Sequence, residues 1–252
     1  MERRTVLTTI AALALLGLTG CGKPEFPDYR YRLTVEVDTP QGLRTGSSVI
    51  EVHSVREHGS MERLLTPAKG EAVAVDLPGG KVLVALLTGE NGSWAAAGGL
   101  RDAYPPIAYG LADYQAHPDP FGAFVKEYQR MTRNRGVMVV PRTKLQGGGG
   151  RYEAISNYPR LVTFANIADP KSVVAVDADN LAASFGAGTK LRRITAQLTD
   201  DPVTVGIEKW LRWLATVGRQ RGTLLTDTPR LVKDASPVQL VAPSDFSTEL
   251  YK

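Results

Sequence analysis

Apolar and polar residues alternate with period two from Arg30 to Val37, putting Tyr31, Leu33, Val35 and Val37 on one face. That period belongs to a strand with one buried side, because successive side chains of an extended chain point to opposite faces. Thr39-Pro40-Gln41-Gly42 follows, with Pro and Gly where a tight turn favours them. Alternation then resumes from Ser48 to Val55 through Ile50 and Val52. The two runs predict a β-hairpin. A second hairpin is predicted from Ala72 to Leu77, the turn Pro78-Gly79-Gly80, and Lys81 to Thr88, whose nearly all-apolar run reads as a buried strand. Two hairpins this early commit the chain to a mostly antiparallel sheet.

Ahead of them stands a segment of another kind. Met1-Glu2-Arg3-Arg4 is a short basic stretch, and Val6 to Leu18 is an almost uninterrupted apolar run. The run is shorter than the roughly 20 residues a membrane-spanning helix needs, and it has the length of a signal-peptide apolar region. It ends in Leu18-Thr19-Gly20-Cys21, which resembles the lipobox of bacterial lipoproteins. The resemblance implies that residues 1–20 are a signal peptide and that the Cys21 thiol is the nucleophile that accepts a diacylglycerol. It also implies that cleavage leaves Cys21 as the anchored N-terminus. Residues 21–28, Cys-Gly-Lys-Pro-Glu-Phe-Pro-Asp, then read as a tether reaching roughly 20 Å when extended. By the same resemblance, Gly22 is not the aspartate that holds enterobacterial lipoproteins at the inner membrane. The expectation is therefore the cell envelope, on the periplasmic face of the outer membrane.

Cys21 is the only cysteine in the 252 residues, which leaves no thiol for a disulfide, a cysteine-based metal site or a nucleophile. Removing residues 1–20 takes Glu2, Arg3 and Arg4 and lowers the net charge from +4 to +3. This mild basic excess reads as solvated surface charge, and an exported protein has no nucleic-acid partner. The remaining length suits one sizeable domain, expected over 29–225.

The rest of the chain adds helices. The segment 89–116 holds Trp94, Tyr104, Tyr109 and Tyr114 around Pro105-Pro106, and has no clear period. Asp119-Pro120 predicts a helix start, with a capping side chain followed by Pro in the first turn. Phe121, Phe124, Val125, Tyr128 and Met131 then form one helical stripe, and Gly136 can close it. Val137 to Val140 and Leu161 to Phe164 read as strands, as does Leu191 to Leu198. Gly147 to Gly150 reads as a hairpin tip or a subdomain break over 146–151. Asp169-Pro170 starts a turn or short helix. Asp179 or Asn180 is expected to cap a helix from Leu181 to Phe185, and a longer helix is expected over 205–217. Residues 226–252 lack a period and read as a poorly ordered tail. The sum is an α+β fold with two or three helices packed on the sheet.

Three stretches in this region resemble an uncharacterised proteobacterial protein family. They are Thr163-Phe164-Ala165-Asn166-Ile167-Ala168-Asp169-Pro170, Asn180-Leu181-Ala182-Ala183-Ser184-Phe185-Gly186 and Asp201-Pro202-Val203-Thr204-Val205-Gly206-Ile207-Glu208. Tyr31 to Val52 is similar to that family's N-terminal hairpin. The resemblance implies one continuous domain and carries no activity, cofactor or catalytic residue.

Residue chemistry gives little more. His53, His58 and His117 lack the spacing of a metal site. Gly46-Ser47-Ser48-Val49 lacks the last glycine of a nucleophile elbow. Asp177-Ala178-Asp179 begins like a calcium loop, without its later glycine and glutamate. Ile207, Trp210, Leu211, Leu214 and Val217 share one arc of the helix expected at 205–217, with Trp213 at its edge. That helix packs on the sheet or lies on the membrane. No catalytic, cofactor or metal residue is therefore expected. The reading is a non-enzymatic interaction or structural module, anchored through Cys21 and partnered by an envelope protein or glycan. The alternative is a tethered hydrolase of envelope polymers, which buried carboxylates or a His–carboxylate pair in a deep cleft would favour.

Overall fold

The computed structural model describes residues 26–57, 63–90, 92, 95–104, 118–148, 151–217, 222–225 and 236–249. Tyr29–Thr39 (β1) and Gly42–Val52 (β2) form the first hairpin, paired from Tyr29↔Val52 to Thr39↔Gly42. The turn is Pro40-Gln41, and Tyr31, Leu33, Val35 and Val37 are all buried, as the alternation predicts. Val55–Glu57 (β3) pairs with Arg63–Leu65 (β4), and Ala68–Lys69 (β5) pairs with the end of β2. Val73–Leu77 (β6) and Lys81–Gly89 (β7) form the second hairpin. Its turn needs backbone with positive φ at Gly79 (78°) and Gly80 (70°), which glycine adopts without steric cost.

Helices Ala95–Ala103 (α1) and Pro120–Met131 (α2) come next. They are followed by the strands Met138–Val139 (β8), Thr143–Gly148 (β9), Arg151–Ser156 (β10), Pro159–Phe164 (β11) and Val173–Val176 (β12). The short helix Ala182–Phe185 (α3) precedes Lys190–Leu198 (β13), and Leu214–Val217 (α4) is the last α-helix. Beside the two-stranded β3-β4 and β9-β10 pairs stand two larger antiparallel sheets, a five-stranded one ordered β5-β2-β1-β13-β8 and a four-stranded, inner one ordered β12-β11-β7-β6. The protein is α+β with sheet predominant. β9 and β10 pair antiparallel, with Gly147 opposite Tyr152 and Gly148 opposite Arg151, while Gly149 and Gly150 of the glycine run lie outside the described residues.

The two sheets share one core. Leu33, Val35 and Val37 of β1 face Val73 and Val75 of β6 and Leu83, Ala85 and Leu87 of β7 within one buried cluster. Burying a side chain of this size stabilises by about 1.5–3 kcal/mol. The sheets approach closely at Gly46 of β2, where an added Cβ would run into the Ala74 carbonyl of β6. Alternate residues of the inner sheet, Val82, Val84 and Leu86 of β7 with Val162 and Phe164 of β11, belong to a second cluster. Ile207, Leu211, Trp213, Leu214, Val241 and Phe246 cover that side. β7 is thus buried on both faces, which is why its sequence loses alternation.

Several expectations need correcting. The chain over 205–217 is not one helix: a 3₁₀ turn at Ile207–Lys209 and the four-residue α4 are separated by an irregular bend. The bend turns Trp213 into the core, 8% exposed and against Phe164 and Phe246, and leaves Trp210 41% exposed. A regular helix would have exchanged those roles. The expected disordered tail is also overturned for 236–249. There Ala72 N–H donates to the Phe246 carbonyl at 2.8 Å, and Phe246 is fully buried. Such 3₁₀ and irregular backbone leaves no period to detect in the sequence.

The tether also ends sooner than 28. Phe26 is buried, with its ring 5.2–5.9 Å from those of Phe121, Phe124 and Tyr128 of α2. Neither Asp179 nor Asn180 caps α3, whose N-cap is Leu181 without a side-chain bond. α2 ends at Met131, capped by Thr132 before Gly136 is reached. Helix α1 lay in a segment without a period because Gly98 and Gly99 lower helix propensity. Gly99 is nonetheless required, since a Cβ there would strike the Tyr31 ring, whose hydroxyl donates to the Ala96 carbonyl at 2.5 Å.

Candidate functional site

A groove of about 580 Å³ opens at one end of the four-stranded sheet. Its floor and walls are the turn Gly79-Gly80, Lys81 and Val82 of β7, and Thr163 and Phe164 of β11 with the following Ala165-Asn166-Ile167. Val174 of β12 and Ala183 and Ser184 of α3 complete it. The walls are tied in place. Lys81 Nζ donates to the Ser184 carbonyl at 3.0 Å and lies 6.0 Å from the Phe185 ring centre, joining β7 to α3. Thr163 Oγ1 donates to the Val82 carbonyl at 2.7 Å.

The 165–172 loop is held by its own polar side chains. Asn166 Oδ1 accepts from Ala168 N–H, Asp169 Oδ1 accepts from Lys171 N–H, and Ser172 Oγ donates to the carbonyls of Asn166 and Asp169. Such local bonds are what Asn, Asp and Ser supply in turns. From below, Trp213 Nε1 donates to the Ile167 carbonyl at 3.1 Å. The groove is lined by backbone and small side chains, by the apolar Val82, Phe164, Ile167 and Val174, and by one ammonium, with no carboxylate or imidazole among its described lining residues.

Several titratable groups elsewhere are engaged in holding the fold. His53 Nδ1 lies 3.1 Å from Asp28 and its Nε2 3.4 Å from Glu51, on a surface where its side chain is 44% exposed. Next to it, Ser54 Oγ and Tyr128 Oη share a hydrogen bond at 2.5 Å, and burial pushes the Tyr128 phenol above its ordinary range. Lys144 Nζ meets Asp102 at 2.6 Å.

Arg142 is a clasp. It reaches Glu90 at 2.8 Å, Asp179 at 2.9 Å and Ser156 Oγ at 2.5 Å, with its guanidinium 5.0 Å from the Tyr158 ring centre. The paired Arg142 holds the Asp179 carboxyl below its ordinary range. Asp177 Oδ1 accepts from Asp179 N–H at 2.8 Å, so this acidic stretch is a turn locked to Arg142 and not a calcium loop. Ser47 and Ser48 lie within β2. Among the described residues no three His, Cys, Asp or Glu side chains converge as a metal site.

Tyr104 is half-buried beside the core. Cys21 and residues 1–20 lie outside the described residues, as do His58, His117, Trp94, Tyr109, Tyr114 and 226–235. Sequence reasoning missed Glu71, a carboxylate only 2% exposed, whose sole signal was an acidic residue opening an apolar strand. It also missed the groove, whose walls are distant in sequence.

Fold and groove together define the class: a predominantly antiparallel α+β protein with a groove at one end of its four-stranded sheet. Compared with known proteins, the chain matches no family model, no curated protein and no solved structure.

Proposed function

We propose that this chain is a lipid-anchored bacterial envelope protein, acting as a non-enzymatic interaction or structural module. Acyl chains on Cys21 hold it at the membrane, on the periplasmic face of the outer membrane, and the groove takes an envelope protein or glycan. The observation that carries this reading is the groove itself. Its walls are tied by the Lys81–Ser184, Thr163–Val82 and Trp213–Ile167 hydrogen bonds, and its described lining residues include no carboxylate or imidazole. The lipobox-like Leu18-Thr19-Gly20-Cys21 supports the anchor.

Two measurements test it. Metabolic labelling with a fatty acid should tag the wild type and not Cys21→Ser; equal labelling of both removes the anchor. A photo-crosslinking residue at Ala183, on the groove wall, should give a discrete adduct in intact envelopes that a crosslinker at exposed Gln41 does not. Adducts of the same pattern from both positions would sink the groove as the binding surface.

A further inference from the structure

The exposed side of α2 and the turn after it are basic. Lys126 and Arg130 of α2 stand at i and i+4, and Arg133 and Arg135 follow beyond its end at Met131, all four exposed. The one acid within 126–135 is Glu127, which pairs with Arg130 at 2.8 Å. Arg135 pairs with Asp200, itself 89% exposed. This stretch alone contributes +3. Asp119 at the helix start and Asp28 near Phe26 are the other acids beside it, and both are committed, to Gly122 N–H and to His53.

The opposite side of the same helix is where the N-terminal chain arrives. Phe26 packs on Phe121, Phe124 and Tyr128, so the route to Cys21 starts at α2. Four residues separate Cys21 from Phe26, and the five steps between them span at most about 18 Å, roughly the length of α2 itself. An acylated Cys21 thus places α2 within reach of the headgroups whatever its path. A basic face so close to an anionic surface is attracted by about a tenfold affinity gain per one or two cations.

We infer that the basic surface made by Lys126 and Arg130 of α2 with Arg133 just beyond its end rests on anionic phospholipid headgroups beside the anchor and sets how the domain stands on the membrane. This orientation rests on the lipid-anchor reading. β1 runs away from that end, and its 11 residues put the Pro40-Gln41 turn about 34 Å from Tyr29.

The test uses the full lipidated protein in nanodiscs, with and without phosphatidylglycerol. Acylation blocks the only native thiol, so a cysteine introduced at Ala123 or at Gln41 can carry a fluorophore alone. Ala123 lies on the α2 side with Glu127 and Arg130. Headgroup spin-labelled lipid should quench the Ala123→Cys probe at least about threefold more than the Gln41→Cys probe, and only in anionic discs. Replacing Lys126, Arg130 and Arg133 by Gln, all at exposed positions, should bring that quenching down to the distal level. So should raised salt. Equal quenching at the two positions overturns the orientation, as does indifference to lipid charge and to the Gln variant while Cys21 is acylated. Quenching at Ala123→Cys that persists in uncharged discs points to an apolar or protein contact and overturns the headgroup reading. A chain that mass spectrometry finds without acyl groups at Cys21 overturns the anchor, and this orientation with it.

Discussion

Replacing Glu71 by alanine should loosen the cover of the inner sheet. Glu71 Oε2 accepts the Ile207 N–H at 2.9 Å, and Oε1 accepts the Ser247 hydroxyl at 3.3 Å. Its backbone forms a bridge to Ser247, flanked by Gly70 N–H to Thr248 Oγ1 at 2.8 Å. One carboxylate thus ties both parts of the cover, 207–217 and 236–249, to the strand they shield. Alanine leaves two buried donors without an acceptor, at about 1–3 kcal/mol each. A loss of about 3 kcal/mol corresponds to a fall in Tm of roughly 6–12 °C for a domain of this size.

Glu71→Gln keeps an oxygen for Ile207 and should stay within about 1 kcal/mol of the wild type at neutral pH. Burial pushes the Glu71 carboxyl above its ordinary 4.5, outweighing the bonds from Ile207, Gly206 and Ser247, and Glu208 pushes it further. A carboxyl raised by folding stabilises when protonated. Its contribution is fully present below the unfolded value and is lost as pH rises through the folded one. The Gln variant, which cannot ionise, should therefore gain on the wild type as pH rises from about 4 to about 8. Thermal melts across that range, with hydrogen exchange at Ile207 and Leu211, measure both effects. If Gln falls as far as Ala, or the gap between Gln and wild type ignores pH, the reasoning is wrong.

Three further perturbations follow from the packing. Phe26→Ala should cost about 3–5 kcal/mol, read by urea unfolding, because it empties the site among Phe121, Phe124 and Tyr128; a loss below about 1 kcal/mol would show that Phe26 is not docked. Gly46→Ala should destabilise by about 2 kcal/mol or more, since its methyl collides with the Ala74 carbonyl rather than a movable side chain; an unchanged melt would contradict the close approach of the two sheets. Arg142→Lys should cost about 1 kcal/mol, discounted because Asp179 is 70% exposed, and should speed exchange at the β10 end near Ser156; identical exchange would show that the fork is dispensable.

The strands that alternate were legible in the sequence. Tyr31, Leu33, Val35 and Val37 declare a buried face by their period, and Pro40-Gln41-Gly42 declares the turn, because both signals are local. The α2 stripe and its Asp119 cap, bonded to Gly122 N–H at 2.9 Å, were legible for the same reason. Which sheet each hairpin joins was not legible. Alternation fixes the buried face of a strand and not its partner, so the insertion of β13 between β1 and β8 and of β11 beside β7 is decided by tertiary pairing.

The 207–249 cover shows the limit most clearly. Its sequence carries helical spacing over 207–217, yet packing against Phe164 and Phe246 favours a broken chain that buries Trp213 and exposes Trp210. Local propensity is worth tenths of a kcal/mol per residue, and burying an indole among rings outweighs it. The groove is likewise a product of tertiary structure, since Gly79, Thr163 and Ser184 meet only when two strands and a helix converge. Local patterns in the sequence determined the faces and turns. Only the folded chain decided what those faces meet, because that choice depends on contacts between residues far apart in the chain.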